Sequence, residues 1–447
     1  MKDNALIQRP IFKTLFLFSL PIIITNTINI LFHAADVAIL SLFAKDSDVA
    51  AVGACGSLIT LMVSLFTGLA TGANVLISVR VGANDKTGTK TAVGTSLSVG
   101  FLSGVFLMFV ALLFAKDFLV LMNCQPAVLK DATLYLKIYF LGSPIMMLKS
   151  FAIAALNASG DSTRPMIYSM LSGVINVGLN IFFVAVCGWE VAGVAVATVL
   201  SSAVSLCLVL IRLFKGKGIC KAEFKSLRIN KNDFLKMIQV GVPTCFCSLS
   251  FFLANVVLSS AVNSISTDAM TANAISSQFD GIIYTVGAAI ASATAVIVAQ
   301  NYGAQKLDRM NKAICYGVGY ATKVSIALGC LFVIFAEPML GLLSDSKSVI
   351  AIAKDRMTFL CLTYFITSIM EVFSFSLRAI KHQLCTMIVG AICGFGIRYC
   401  WRYFVWPLKP TLSMLFACYA VSAFVAILIY LWVYRSALKK MQMGERR

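Results

Sequence analysis

The chain has 447 residues, 59% of them hydrophobic and 13% charged, with a formal net charge of +18 and a mean hydropathy of +0.89. That is far more apolar than a water-soluble core of this size requires, which excludes an ordinary soluble enzyme. A nucleic-acid-binding reading of the positive charge fails as well, because no polar stretch is long enough to fold as a basic domain.

Apolar runs of span length recur from end to end, separated by short charged connectors, and each is long enough to cross a bilayer as a helix. They are continuous and lack period-two alternation, so they predict helices rather than barrel strands. In chain order the spans are 14–43, 49–79, 91–115, 132–157, 164–188 and 191–213, then 235–263, 268–300, 313–336, 350–380, 384–407 and 412–434. The first run lacks a small-residue cleavage site and reads as a retained span.

Lys2, Arg9 and Lys13 precede the first span, and lysine and arginine collect again after the even-numbered spans, above all in FKGKGICKAEFKSLRINKNDFLK at 214–236. These connectors are expected on the cytoplasmic side, and so are both termini. The chain is thus expected to be a multi-pass protein of the cytoplasmic membrane. Its 14 cysteines lie almost all inside spans; Cys245 and Cys247 form a C-x-C with no second pair beside it, so small apolar packing is expected.

VRVGANDKTGTKTAV at 79–93 resembles QNYGAQKLDRMNKAI at 300–314, with Gly82-Ala83 matching Gly303-Ala304 at an offset of 221. The same offset carries Pro165-Met166-Ile167 onto Thr386-Met387-Ile388 and Gly173 onto Gly394, while Pro21 meets Pro243 at 222. Several aligned regions at one offset indicate duplication. Six spans return the chain to its starting side, so the halves form a parallel repeat. The expectation is an all-α membrane protein with about twelve transmembrane helices in two six-helix pseudo-symmetric lobes, residues 1–213 and 235–447, joined by a basic cytoplasmic linker at 214–234. A duplicated pair of lobes points to a transporter with its substrate site near the midplane.

Asp36 lies in ILFHAADVAILSLF at 30–43. A carboxylate at the bilayer centre costs about 2.5–3.5 kcal/mol on insertion scales, and such groups mark ion or proton paths. His33 shares its helical face at i−3; packing and function are both open to it. Asn176 and Asn180 stand at i and i+4 on one face of the fifth span, suited either to cation ligation or to interhelical hydrogen bonding. Thr198 in GVAVATVLS offers a hydroxyl, or a bond to its own helix backbone. In the second half, Asp280 and Glu371 sit in apolar surroundings as coupling or substrate groups; pairing with Arg398 or with each other is the structural alternative. At the repeat offset they meet the uncharged Ile59 and Ser150.

Phosphate loops, H-E-x-x-H and G-x-S-x-G are absent, and the chain has two histidines, His33 and His382. No catalytic residue, cofactor, or metal beyond a coupling sodium ion is expected. A membrane acyltransferase built on His33 and Asp36 lacks a nucleophile.

The segments ATGANVLISVRVGAND, LNASGDSTRPM, GVAVATVLS, VAQNYGAQKLDRM and GFGIRYCWRYF, with the two-half organisation, resemble the multidrug and toxic compound extrusion (MATE) family across nearly the whole chain. The resemblance implies a bacterial antiporter that exports organic, often cationic amphipathic compounds in exchange for protons or sodium by alternating access. It also implies that Asp36, Asn176, Asn180 and Thr198 form a cation or proton site in the first lobe. At Asn180 many relatives of one branch carry aspartate, leaving Asp36 as the only carboxylate of that site. The small-molecule substrates and the bilayer are the expected partners, with the protein a monomer. The alternative within transporters is a lipid-linked precursor flippase, which favours a basic cavity, whereas the intramembrane charges read as mostly acidic.

Overall fold

The computed structural model describes residues 5–122, 124–216 and 218–445, and every regular element among them is helical. Apart from short helices and turns, the first half has α1 (Ile11–Phe43), α2 (Asp46–Gly82), α3 (Lys86–Leu121), α4 (Pro126–Leu141), α5 (Ser143–Ala158), α6 (Thr163–Asn180) and α7 (Glu190–Lys215). The second half has α8 (Lys231–Asn263), α9 (Thr267–Gly303), α10 (Leu307–Ile334), α11 (Lys347–Ala379), α12 (Gln383–Val389) and α13 (Leu412–Glu445). Among the described residues, eleven helical spans are long and apolar enough to cross a membrane, and the bent pair α4 and α5, counted as one broken span, brings the number to twelve.

That pair corrects the single span expected at 132–157. The pair starts earlier, at Pro126, and bends by 48° between Leu141 and Ser143. Gly142 lies at the bend with Pro144 just beyond it, and a proline ring cannot donate to the preceding turn. A Cβ at Gly142 would fall 2.3 Å from Val199 of α7, so close packing also requires glycine there. The eleventh span is uneven as well: after α12 the chain passes through wide π-type turns at Gly390–Gly396 and Trp401–Val405.

The repeat is visible in the backbone. Asn84 and Gln305, 221 residues apart in the matching connectors, both have φ of 56°. Gly160 and Lys381, again 221 apart, have φ of 87° and 68°. Left-handed conformations are costly for residues with a Cβ, so their recurrence in register marks one turn geometry used twice.

Two compact units result. One comprises residues 1–8 and 20–245; the other comprises 9–19 and 246–447. One division falls just before α1, and the other two fall inside α1 and α8, next to Pro21 and Pro243. Residues 231–245 of α8 are thus built into the first unit, where Cβ atoms on Gly68 and Gly72 would strike Cys245 and Met237. Residues 9–19 are built into the second, where Phe12 and Phe16 pack edge-on against Tyr320. The first unit's core gathers Leu40, Leu119, Leu136, Phe140 and Met147; the second's gathers Leu258, Ile283, Met357, Leu360 and Leu415.

Candidate functional site

In the first unit, α1 and α6 approach closely because Gly173 of α6 has no side chain: a Cβ there would fall 1.6 Å from the Phe32 ring. One turn beyond Phe32 stands Asp36, and two turns beyond Gly173 stands Asn180. The Nδ2 of Asn180 donates to Asp36 Oδ1. It also lies 3.4 Å from Asn176 Oδ1, and Asn176 Nδ2 lies 3.5 Å from Thr198 Oγ1 on α7. α6 and α7 are held together below this point by Ser172 Oγ donating to Ser201 O at 2.7 Å.

The four first-lobe residues named by sequence therefore come together. Asn176 and Asn180 are buried, and the Asp36 side chain is 12% exposed. A hydrogen bond to a charged group is worth about 1.5–3 kcal/mol, comparable with the insertion cost of the carboxylate. Thr198 also donates to Val194 O of its own helix at 2.9 Å, so its hydroxyl oxygen stays free to accept. Asn180 Oδ1 is buried without a hydrogen-bond partner among the described residues. Directly after Asn180 the helix widens into a π-type turn, Ile181–Val186, a feature frequent at functional sites. His33 Nδ1 lies 3.9 Å from Asp36 Oδ2, with its side chain 75% exposed.

Asp280 and Glu371 are not part of this cluster. Asp280 is paired with Arg356 at 3.2 Å, both nearly inaccessible, and Tyr364 donates to it at 3.3 Å. Its partner is thus Arg356 of α11, rather than the Arg398 or Glu371 that sequence suggested. The view that intramembrane charges are mostly acidic is also corrected. Arg356, Arg378 and Arg398 are all buried in the second unit, and in the first Lys149 Nζ donates to Ser202 Oγ at 3.1 Å. Arg398 lies 4.0 Å from the Tyr419 ring centre and 4.9 Å from that of Phe251. Sequence reading passed over Lys149, one cation in an apolar run, and Arg356, which follows Lys354 and Asp355 near the start of the tenth span, because only three-dimensional packing names their partners.

The cysteine pair dissolves into packing. Cys245 Sγ faces Leu65 O and Cys247 Sγ faces Thr386 O. Among the described residues, no group of three or more His, Cys, Asp or Glu side chains is arranged to hold a metal ion. The chemistry available at Asp36 is that of one carboxylate with neighbouring amide and hydroxyl oxygens, matched in charge to one monovalent cation or proton.

The pattern of the MatE family matches residues 21–182 and again 243–404, two stretches that begin 222 residues apart. The chain belongs to the MATE family. It is a membrane transporter, not an enzyme. It is 24% identical over 394 residues to the probable multidrug resistance protein YoeA of Bacillus subtilis, covering 87% of this chain and 85% of that protein. To a FAD transporter of Shewanella oneidensis it is 22% identical, covering 87% of each. Its fold is similar to that of an outward-facing multidrug resistance MATE family transporter of the MOP superfamily, with TM-score 0.90 and 21% identity across 98% of this chain and 99% of that one.

Proposed function

We propose that this MATE transporter is an antiporter in which a proton or sodium ion, entering the Asp36 site, drives export of organic compounds. The observation that carries the reading is the buried contact between Asp36 and Asn180, with an unpartnered amide oxygen beside it. A carboxylate facing amide N–H groups is stabilised without a cation. When a cation arrives, a half-turn of the Asn180 amide would present Oδ1 in place of Nδ2, and Asn176 and Thr198 supply further oxygens. The site then has two ligation modes that differ by one charge, which is what a gradient needs in order to bias a two-state element. In this reading the two states are the alternating-access conformations of a two-lobed transporter, and the protein lies in the cytoplasmic membrane with both termini inside. The test is reconstitution into liposomes with an imposed sodium or proton gradient and a fluorescent cationic dye. Movement driven by one gradient supports the reading and names the ion, and movement that ignores both gradients contradicts it.

One observation favours a second reading for the cargo. The second unit buries three arginines, and among the described residues only Arg356 has a carboxylate within ion-pair distance. An anionic aromatic substrate would suit Arg398 and its ring neighbours, and one relative is named for FAD. Flavin efflux from the same liposomes, compared with cationic dye efflux, separates the two.

A further inference from the structure

The end of α7 carries a feature unrelated to the Asp36 cluster. A concavity of about 670 Å³ opens there, with Leu210, Ile211 and Phe214 of α7 as an apolar floor and Lys215, Lys221 and Glu223 around it. Its size falls in the range of roughly 300–1,000 Å³ common for small-ligand sites. After Lys215 the chain folds back on the helix, and Ala222 N donates to Leu213 O at 3.0 Å. That return brings Lys221 beside the last turn.

The charges do not cancel. Glu223 is already paired with Lys90 of α3 at 2.5 Å, and the Lys90 hydrogen bond holds its carboxyl below the usual carboxylate range. Lys215 and Lys221 are exposed and have no ion-pair partner among the described residues. The linker is fixed to the first unit at further points, by Asp233 with Arg80 and by Thr95 Oγ1 donating to Arg228 O at 3.2 Å. Lys215 is therefore held on the last turn of α7 and Lys221 on the anchored segment that folds back against it.

Depth decides what meets this surface. α7 has 26 residues, about 39 Å at the helical rise, against a hydrocarbon core of about 30 Å. Its last turn thus emerges at the interface, with exposed Ile211 on the hydrocarbon side and Lys215 one turn above it on the same face. Tails beneath and cations above match the two ends of an anionic phospholipid.

We infer that the Leu210, Ile211 and Phe214 floor, with Lys215 and Lys221, is a binding site for one anionic phospholipid at the basic face of the membrane. The test is native mass spectrometry of full-length protein in neutral detergent, titrated with phosphatidylglycerol and separately with phosphatidylcholine. Phosphatidylglycerol should bind more tightly, and the double variant K215Q/K221Q should weaken it by about fivefold per lysine. Phosphatidylcholine binding should not change, and K225Q/K231Q, which alters linker lysines outside the concavity, should leave phosphatidylglycerol affinity near wild type. Equal affinity for the two lipids overturns the inference. So does an undiminished K215Q/K221Q variant, an equal loss in K225Q/K231Q, or displacement of the lipid by inorganic phosphate.

Discussion

A Cβ atom on Gly173 would fall 1.6 Å from the Phe32 ring, so the absence of one side chain on α6 sets how near it comes to α1. That approach carries Asp36 to Asn180. Gly173→Ala should therefore destabilise the protein by about 1–3 kcal/mol through overpacking and impair gradient-driven efflux. Gly173→Ala combined with Phe32→Ala should recover part of both. Gly394, the repeat counterpart, has nothing within 4 Å of its would-be Cβ, and Gly394→Ala should change little. Thermal unfolding in detergent alongside dye efflux checks all three variants; an innocuous Gly173→Ala would detach the helix approach from the site.

Asn180 is predicted to hold the carboxylate in its cation-free form. Asn180→Leu removes the donor to Asp36 and leaves a buried acid short of a partner, which costs about 1–3 kcal/mol or more. Ion-driven export should fall by an order of magnitude or more. Asn180→Asp should instead add a second negative charge, raising cation affinity and slowing release. The readouts are cation-dependent tryptophan fluorescence for binding and turnover in liposomes; unchanged values in both variants would remove Asn180 from the site.

Asp280 and Arg356 form a pair closed off from solvent. Removing one partner of such a pair costs about 3–5 kcal/mol, whereas replacing both by apolar groups is often close to neutral. Asp280→Leu should thus lower the unfolding temperature strongly, and Asp280→Leu with Arg356→Met should restore much of it together with efflux. If the restored double variant stays inactive, Asp280 has a part in transport beyond holding the fold.

Lys381 adopts φ of 68° where the first half of the repeat has Gly160. A left-handed conformation costs a residue with a Cβ about 1–2 kcal/mol, so Lys381→Gly should stabilise the protein by around 1 kcal/mol. The ammonium lies 5.9 Å from the Tyr302 ring centre, a weak contact at an exposed position that subtracts little. A lower unfolding temperature for Lys381→Gly would show that this contact outweighs the backbone strain.

Much of the fold was legible because hydrophobic length is a direct physical requirement of the bilayer. The same holds for the repeat: Gly82-Ala83 and Gly303-Ala304 announced two connectors that share one backbone turn. The break at Gly142 was not legible, since glycine and proline inside an apolar run are tolerated in membrane helices as often as they bend them. At the site, Asp36 could be singled out from its cost alone, and Asn176 and Asn180 from their i, i+4 spacing. That Asn180 and not Asn176 donates to the carboxylate depends on the helix approach at Gly173, which no local pattern encodes. The partner of Asp280 was missed for a related reason: Arg356 lies 76 residues away in sequence, and Arg398 offered an equally plausible opposite charge.

The central claim is that the Asp36 carboxylate is the group through which an ion gradient acts. The direct measurement is dye export by reconstituted wild type and Asp36→Asn under an imposed sodium or proton gradient, with equal amounts of protein that melt at the same temperature. The account predicts gradient-driven export by the wild type and none above leak for Asp36→Asn, because the neutral amide binds neither ion in exchange for the carboxylate's charge. Full gradient-driven export by Asp36→Asn would contradict it.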